Sequence, residues 1–308
     1  MKANPVYKRE VKVSARTSRI AITMLVFNGL LAGVALLNMH SLVEQAKFAA
    51  EIQYSSFLKL YIFVSALEFA LILLIIPSIT AGSISGERER QTLDLMLTTN
   101  MKPVDIILGK LYASFSTLFI LIISSFPILA LAFIYGGLKV VDLCMLLLFF
   151  YIAAALIGSM GLMFSALFKR STMSSVVSYV GLLVLIVGGP AINWFSYKLT
   201  EFSKEVYFGD AVNNSGGFLY LLLLNPAVTF WGLINNQAGN KQTFQEIFNM
   251  FGKRSSNLVL NHWVPISIVC QFLLTALFLF VAAKSVTPMN IKSGKKEKWA
   301  AGNQQKGV

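Results

Sequence analysis

Residues 82–97 read Gly82-Ser83-Ile84-Ser85-Gly86-Glu87-Arg88-Glu89-Arg90-Gln91-Thr92-Leu93-Asp94-Leu95-Met96-Leu97, a densely charged segment between two long apolar runs. The pattern predicts a short helix, because Ser85 can cap its first turn and Thr98-Thr99-Asn100 followed by Pro103 ends it. A charged helix in this position is typical of a segment on the cytosolic side of a membrane protein.

One face of this predicted helix is apolar. Leu93, Met96 and Leu97 are spaced by three and four residues, with Arg90 and Asp94 beside them. An amphipathic helix held between two membrane spans is suited to docking into a groove on a soluble partner. The alternative interpretation is an ordinary cytosolic loop.

The segment resembles the coupling region of the type-2 ATP-binding-cassette (ABC) transporter permeases, whose helix contacts a separate ATPase subunit. The matching runs are Ser83-Ile84, Glu87-Arg88-Glu89-Arg90, Thr92-Leu93-Asp94-Leu95 and Gly109-Lys110. Gln91 stands where glycine is frequent, and Asn100 stands where proline often follows the threonine. The resemblance implies that the residues that couple to the ATPase are Glu87, Arg88, Glu89, Arg90, Thr92, Leu93, Asp94, Met96 and Leu97.

Composition places the chain among integral membrane proteins. Hydrophobic residues make up 56% of it and charged residues only 13%, and its mean hydropathy is +0.68. The formal charge of +12 favours contact with anionic lipid over nucleic acid, because the lysines and arginines cluster beside apolar runs. Cys144 and Cys270 lie inside apolar runs, and His40 and His262 are far apart, so no disulfide, metal site or catalytic group is predicted.

The apolar runs predict an all-α protein, since each is long enough at ~1.5 Å per residue to cross a hydrocarbon layer of ~30 Å. The six predicted spans are residues 20–39, 57–80, 111–135, 141–168, 173–194 and 264–283. Residues 40–56 are expected to form a polar external connection. Gly188-Gly189-Pro190 is expected to break the fifth span near its outer end.

The chain is predicted to form a single transmembrane domain over residues 1–308. Residues 1–19 form a basic helix on the cytosolic membrane surface, with Pro5 in its first position; the alternative is a basic flank that only orients the first span. The resemblance favours the helix. Residues 20–283 are the six-span bundle, and residues 284–308 are a basic cytosolic tail.

Residues 199–263 contain a further apolar stretch, 218–234, which Asn225-Pro226 interrupts. It could be a seventh span, but the basic tail would then lie outside, against the positive-inside rule. A re-entrant or interfacial helix pair on the outer side fits the charges better, and the resemblance to ABC permeases agrees with it.

Lysine and arginine counts predict the orientation. Residues 1–19, 84–110, 169–170 and 284 onward hold 18 of the 26 basic residues. Both termini are therefore predicted to be cytosolic, in a multi-pass protein of the cell membrane.

A carboxylate, Glu68, lies near the middle of the second span. Tyr61 and Ser65 share its helical face, so the three residues form a narrow polar stripe. Because a charge in hydrocarbon is costly, Glu68 is expected to face protein or water. A pathway-lining or gating role and a structural hydrogen bond to a neighbouring helix are both open.

The fourth span carries small residues at helical spacing, Ala154, Gly158, Gly161 and Ser165. Small side chains let a second helix approach closely. We expect them to serve packing within one chain.

Three functions compete. The chain has no Gly-x-x-x-x-Gly-Lys-Ser/Thr phosphate loop, so ATP is expected to bind a separate subunit and this chain is not expected to be an enzyme or to hold a cofactor. The leading interpretation is the permease subunit of an ABC exporter, which would need a second permease chain, identical or different. The alternatives are an ion-coupled secondary transporter using Glu68, and a non-transporting receptor or immunity component that recruits an ATPase.

The predicted topology is testable by cysteine labelling. A cysteine at Ser203 should react with an impermeant reagent added to intact cells, because residues 199–263 are predicted to be external. A cysteine at Ser293 should react only after the cells are opened. Labelling of Ser293→Cys in intact cells would establish the seven-span alternative.

Overall fold

The computed structural model describes residues 5–15, 17–49, 54–93, 103–207, 215–240, 242–249 and 258–286. Regular structure within these ranges is helical and includes no strand. The helices are α1 (Pro5–Ala15), α2 (Ser18–Ala49), α3 (Tyr54–Thr80), α4 (Ser85–Glu89), α5 (Pro103–Gly136), α6 (Val140–Leu167), α7 (Ser171–Tyr207), a 3₁₀ helix (Gly216–Leu224), α8 (Pro226–Gln237), α9 (Thr243–Asn249), α10 (Leu258–Asn261) and α11 (Trp263–Val286).

Six of the helices in the described ranges are long and apolar enough to cross a membrane, namely α2, α3, α5, α6, α7 and α11. They correspond to the six predicted spans. The all-helical class and the number of candidate spans predicted from the sequence are therefore confirmed.

Helix α6 is the centre of the bundle. It packs against α3, α5, α7, α8 and α11, and its longest shared surface is with α11. Its sequence is apolar on every side, which is the pattern of a helix surrounded by other helices. By contrast, α2 and α7 bury little of their surface within this chain.

The small residues of α6 make room for α3. A side chain on Gly161 would overlap the hydroxyl of Thr80, the last residue of α3. A methyl group on Gly158 would lie 3.6 Å from side-chain atoms of Ile76 and Thr80. Gly161 therefore serves close packing within the chain, as predicted, whereas the space beside Gly158 would accept a methyl group.

Helix α2 extends ten residues beyond the predicted end of the first span. It continues to Ala49, so the predicted polar connection 40–56 is helical over much of its length. Residues 41–49 are polar but rich in strong helix formers such as leucine, glutamate, glutamine and alanine. Hydropathy therefore indicates where a span leaves the apolar layer but not where its helix ends.

Helix α7 is not broken at Pro190, contrary to the sequence prediction. It continues from Ser171 to Tyr207 with the proline inside it. Proline lacks the N–H that would bond the carbonyl oxygen of Ile186 one turn earlier. The side-chain amide of Asn225 donates to that oxygen instead, at 2.6 Å, and so compensates the missing helix bond.

The chain breaks where Asn225-Pro226 predicts it. The 3₁₀ helix and α8 meet there at an angle of 82°. The carboxamide oxygen of Asn225 accepts hydrogen bonds from the N–H groups of Ala227 and Val228, so it caps α8.

Both arms of this bent pair pack against α11, and each also contacts one further span. The side-chain amide of Asn193 in α7 donates to the carbonyl oxygen of Phe218, at 2.8 Å. The far end of α8 reaches the first turn of α6, where the amide of Gln237 donates to the carbonyl oxygen of Asp142. If each arm counts as half of one span, the total is seven, so the number of crossings depends on how this pair lies in the membrane.

Helix α1 begins at Pro5, as predicted, and packs along α5. Val6 is buried, and the hydroxyl groups of Tyr7 and Ser116 lie 3.1 Å apart. Val13, which the sequence pattern places on the same apolar side, is exposed. Beyond α11, residues 287–308 of the basic tail lie outside the described ranges.

Candidate functional site

The coupling segment, residues 82–97, does not form the single helix that the sequence predicts. Helix α4 ends at Glu89, the chain turns at Arg90 and Gln91, and helical structure resumes at Thr92. Gln91 has a φ of +57°, in the left-handed region that favours glycine. The turn therefore occurs at the position where the permeases that the segment resembles frequently have glycine.

The start of α4 is capped from another helix. The hydroxyl oxygen of Ser165 in α6 accepts hydrogen bonds from the N–H groups of Ile84 and Ser85, at 2.9 and 3.0 Å. Ser85 was predicted to cap the helix itself, but its hydroxyl donates backward to the carbonyl oxygen of Ala81. The prediction of Ser85 as the cap is wrong, because a buried acceptor on α6 already occupies that place.

Glu87 joins the segment to α1 and α5 through Lys110. The ammonium group of Lys110 lies 3.2 Å from Glu87 and 3.1 Å from Glu10 of α1. The Lys110 side chain is only 4% exposed, so its ammonium group is shielded from water, while the Glu10 side chain is 31% exposed. The second carboxylate oxygen of Glu87 accepts a hydrogen bond from the hydroxyl of Thr92.

Arg88 and Glu89 join the segment to α6 and α7. The guanidinium group of Arg88 donates to the carbonyl oxygen of Phe168, the residue that follows α6. Glu89 accepts hydrogen bonds from the N–H and the hydroxyl of Ser171, the first residue of α7, at 2.9 and 2.7 Å. A carboxylate at a helix N-terminus satisfies free N–H groups and opposes the positive end of the helix dipole.

Leu93 points into the chain. It is 4% exposed and packs in an apolar cluster at this end of the bundle that includes Ile84, Leu162 and Val286. The prediction that Leu93 lies on a surface facing a partner is therefore wrong. Helical spacing alone did not reveal that the same chain forms a pocket for this side chain. Met96 and Leu97, the other predicted members of that face, and Asp94 beside it lie outside the described residues.

Three consecutive charged residues thus bind one short segment to four helices, while Arg90 and Gln91 at the turn remain exposed. Sequence reasoning missed the partners of this segment on other helices, among them Ser165 as an acceptor, Ser171 as a donor and Glu10 as an ion-pair partner. Ser165 was noted only for its small size. Glu10 is 100 residues from Lys110, and no local pattern joins them.

Glu68, Tyr61 and Ser65 are all fully buried inside the chain. The hydroxyl of Ser125 in α5 lies 2.5 Å from one carboxyl oxygen of Glu68, and the hydroxyl of Tyr61 donates to the side chain of Gln237 in α8. Within the described ranges, the second carboxyl oxygen of Glu68 has no hydrogen-bond partner. The stripe links α3 to α5 and α8, and its role in a pathway stays a prediction.

The cap on α4 generates a stability prediction. Ser165→Ala should lower the thermal stability of the purified chain, because it leaves two buried N–H groups without an acceptor, at about 1–3 kcal/mol each. Ser159→Ala is the matched control on the same helix. Its hydroxyl is equally buried and bonds only the carbonyl oxygen of Leu156, so its removal should change stability much less. Equal melting temperatures for the two variants would contradict the cap.

Comparison with known proteins identifies the family of the chain. The model of the ABC-2 family transporter proteins matches residues 4–290, which include all six candidate spans and the coupling segment. Comparison with individually curated proteins gives no significant match. Because the family model matches nearly the whole chain, the protein belongs to the ABC-2 family of transporter proteins.

Proposed function

We propose that the chain is the membrane-spanning permease subunit of an ABC exporter. It forms the translocation pathway with a second permease chain, identical or different, while a separate cytosolic ATPase binds and hydrolyses ATP. Family membership supports the permease function. Export is favoured because the sequence lacks the cytosolic Glu-Ala-Ala signature with a downstream glycine that marks the import families.

The observation that carries the coupling proposal is the attachment of residues 87–89. Glu87 is held by Lys110 of α5, Arg88 by the end of α6, and Glu89 by the start of α7. The ion pair of Lys110 continues to α1. A displacement of this segment by a bound ATPase would therefore be transmitted to four helices at once.

The residues of the coupling segment divide into two groups under this proposal. Arg90, Asp94, Met96 and Leu97 contact the ATPase, with the apolar pair supplying most of the binding energy. The inward group, consisting of Glu87, Arg88, Glu89, Thr92 and Leu93, holds the segment to the bundle and transmits its movement.

The proposed topology places the coupling segment, α1 and the tail 284–308 in the cytosol of a cell-membrane protein. The bent pair of the 3₁₀ helix and α8 is then a re-entrant pair on the outer side. The contact of α8 with the first turn of α6 supports this arrangement, because α6 begins at the end of the bundle opposite the coupling segment.

Coupling is tested by two double variants measured in the same membranes. Met96→Ala with Leu97→Ala should weaken association with the ATPase and abolish transport, because it removes apolar area from the interface. Glu87→Gln with Glu89→Gln should preserve association but reduce transport per ATP hydrolysed, because it loosens the attachment to α5 and α7. A pull-down of the ATPase measures association, and a transport assay combined with the rate of ATP hydrolysis measures coupling.

Leu93→Ala is the control for a folding defect. It removes a buried side chain of the chain's own core and should lower thermal stability by about 2–5 kcal/mol. The Met96 and Leu97 variant should melt like the wild type. Full association and full transport in that variant would show that residues 94–97 are not a docking surface.

The stripe of Glu68, Tyr61 and Ser65 is proposed to act on the pathway from inside its wall. Glu68 and Tyr61 hold α3 to α5 and α8 in one state of the cycle. Glu68→Gln keeps the shape of the side chain and its hydrogen bond to Ser125 while it removes the ionisable group. We expect normal expression and reduced transport. Unchanged transport at normal expression would reject any role for the ionisable group.

A further inference from the structure

A polar cleft lies beside the coupling segment, between α1, the inner end of α3, α4 and α5. Its volume is about 430 Å³, which is within the range of small-ligand sites in proteins. Five charged residues line it, and they come from widely separated parts of the sequence: Arg9, Glu10, Glu87, Arg90 and Lys110. The fold therefore assembles a charged site that no single stretch of sequence contains.

Lys110 is the buried member of this site. Its ammonium group has three N–H donors, and the carboxylates of Glu10 and Glu87 take two of them. The third has no acceptor within the described ranges. Because the side chain is almost completely buried, an oxygen atom that reaches this donor would form a charge-assisted hydrogen bond sheltered from water.

Arg9 and Arg90 supply the remaining positive charge in the lining of the cleft. Three cationic groups and two carboxylates line the cleft, and both carboxylates are bound to Lys110. Neither guanidinium group forms a hydrogen bond or a close ion pair with the described residues, although Arg90 interacts electrostatically with the neighbouring carboxylate of Glu89. A guanidinium group can donate two parallel hydrogen bonds to two oxygen atoms of a phosphate group. Arg9 and Arg90 therefore favour a phosphate ligand.

The position of the cleft indicates the source of the phosphate. One wall is α1, a basic helix that the sequence places on the cytosolic membrane surface, and the other walls are the ends of membrane-spanning helices. Anionic phospholipids accumulate next to basic segments at this surface, and basic pockets between spans bind their headgroups. A lipid headgroup reaches such a site directly from the leaflet.

We propose that this cleft binds the phosphate group of an anionic phospholipid of the cytosolic leaflet, through Arg9, Arg90 and the free donor of Lys110. The bound phosphate joins α1 to the turn of the coupling segment. The lipid site shares Arg90 with the proposed ATPase contact. Lipid binding is therefore measured on the permease chain without the ATPase, where a failure of the coupling proposal does not change the result.

The test compares two double variants that lose the same charge. The purified full-length chain is stripped of lipid, incubated with phosphatidylglycerol or phosphatidylcholine, and analysed by native mass spectrometry. Arg9→Gln with Arg90→Gln should lose most of the preference for phosphatidylglycerol. The control is Lys8→Gln with Lys12→Gln, whose residues are exposed on α1 but do not line the cleft; it should keep the wild-type preference.

Four results would overturn the proposal. If the preference for phosphatidylglycerol falls equally in the arginine and lysine variants, the lipid is attracted to the basic surface in general. If the arginine variant keeps the preference, the cleft is not the binding site. Inorganic phosphate that displaces phosphatidylglycerol completely would identify a site for a soluble anion. Retained lipid preference with lost ATPase binding would identify a protein-docking surface. Arg9→Lys with Arg90→Lys keeps the charge and should recover part of the preference, which separates binding from misfolding.

Discussion

Two backbone N–H groups, those of Ile84 and Ser85, lie where α3 has ended and α4 begins, in a region closed to water. Buried donors of this kind need an acceptor, and Ser165 of α6 provides one for both. One turn earlier on α6, Gly161 lies directly against Thr80. The same close approach of α6 to α3 places Ser165 beside these two N–H groups. The close approach of α3 and α6 and the cap on α4 are therefore one constraint, and the geometry of the coupling segment follows from it.

The parts of the fold that were predictable from sequence depend on local properties. A run of about 20 apolar residues is sufficient to identify a membrane span. A helix break at Asn225-Pro226 follows from a capping side chain and a proline that cannot continue a preceding helix. The turn of the coupling segment at Gln91 is a partial case, because the residue was unusual for the family but its left-handed conformation was not foreseen.

The errors arose where a distant residue decides the outcome. Pro190 does not break α7, because Asn225, 35 residues later in the sequence, bonds the carbonyl group that the proline leaves free. Leu93 has the spacing of a docking residue, yet it fits a pocket made by Ile84 and by residues of α5, α6 and α11 of the same chain. Helical periodicity identifies an apolar face, but it does not distinguish an internal neighbour from an external partner. The sequence therefore identified which segment forms the candidate site, but the residues that hold this segment in place were visible only in the structure.

The close contact at Gly161 also restricts how the bundle can deform. For α3 to slide along α6, the Cα atom of Gly161 would have to leave the one position where Thr80 fits and meet a neighbouring residue that carries a larger side chain. The two helices are interlocked along their common axis, so they have no low-energy translation relative to each other. Helix α7 buries little of its surface but is tied to the rest of the chain by Glu89 and Asn225. A change of shape that leaves the interlocked pair intact is therefore least opposed by packing at α2.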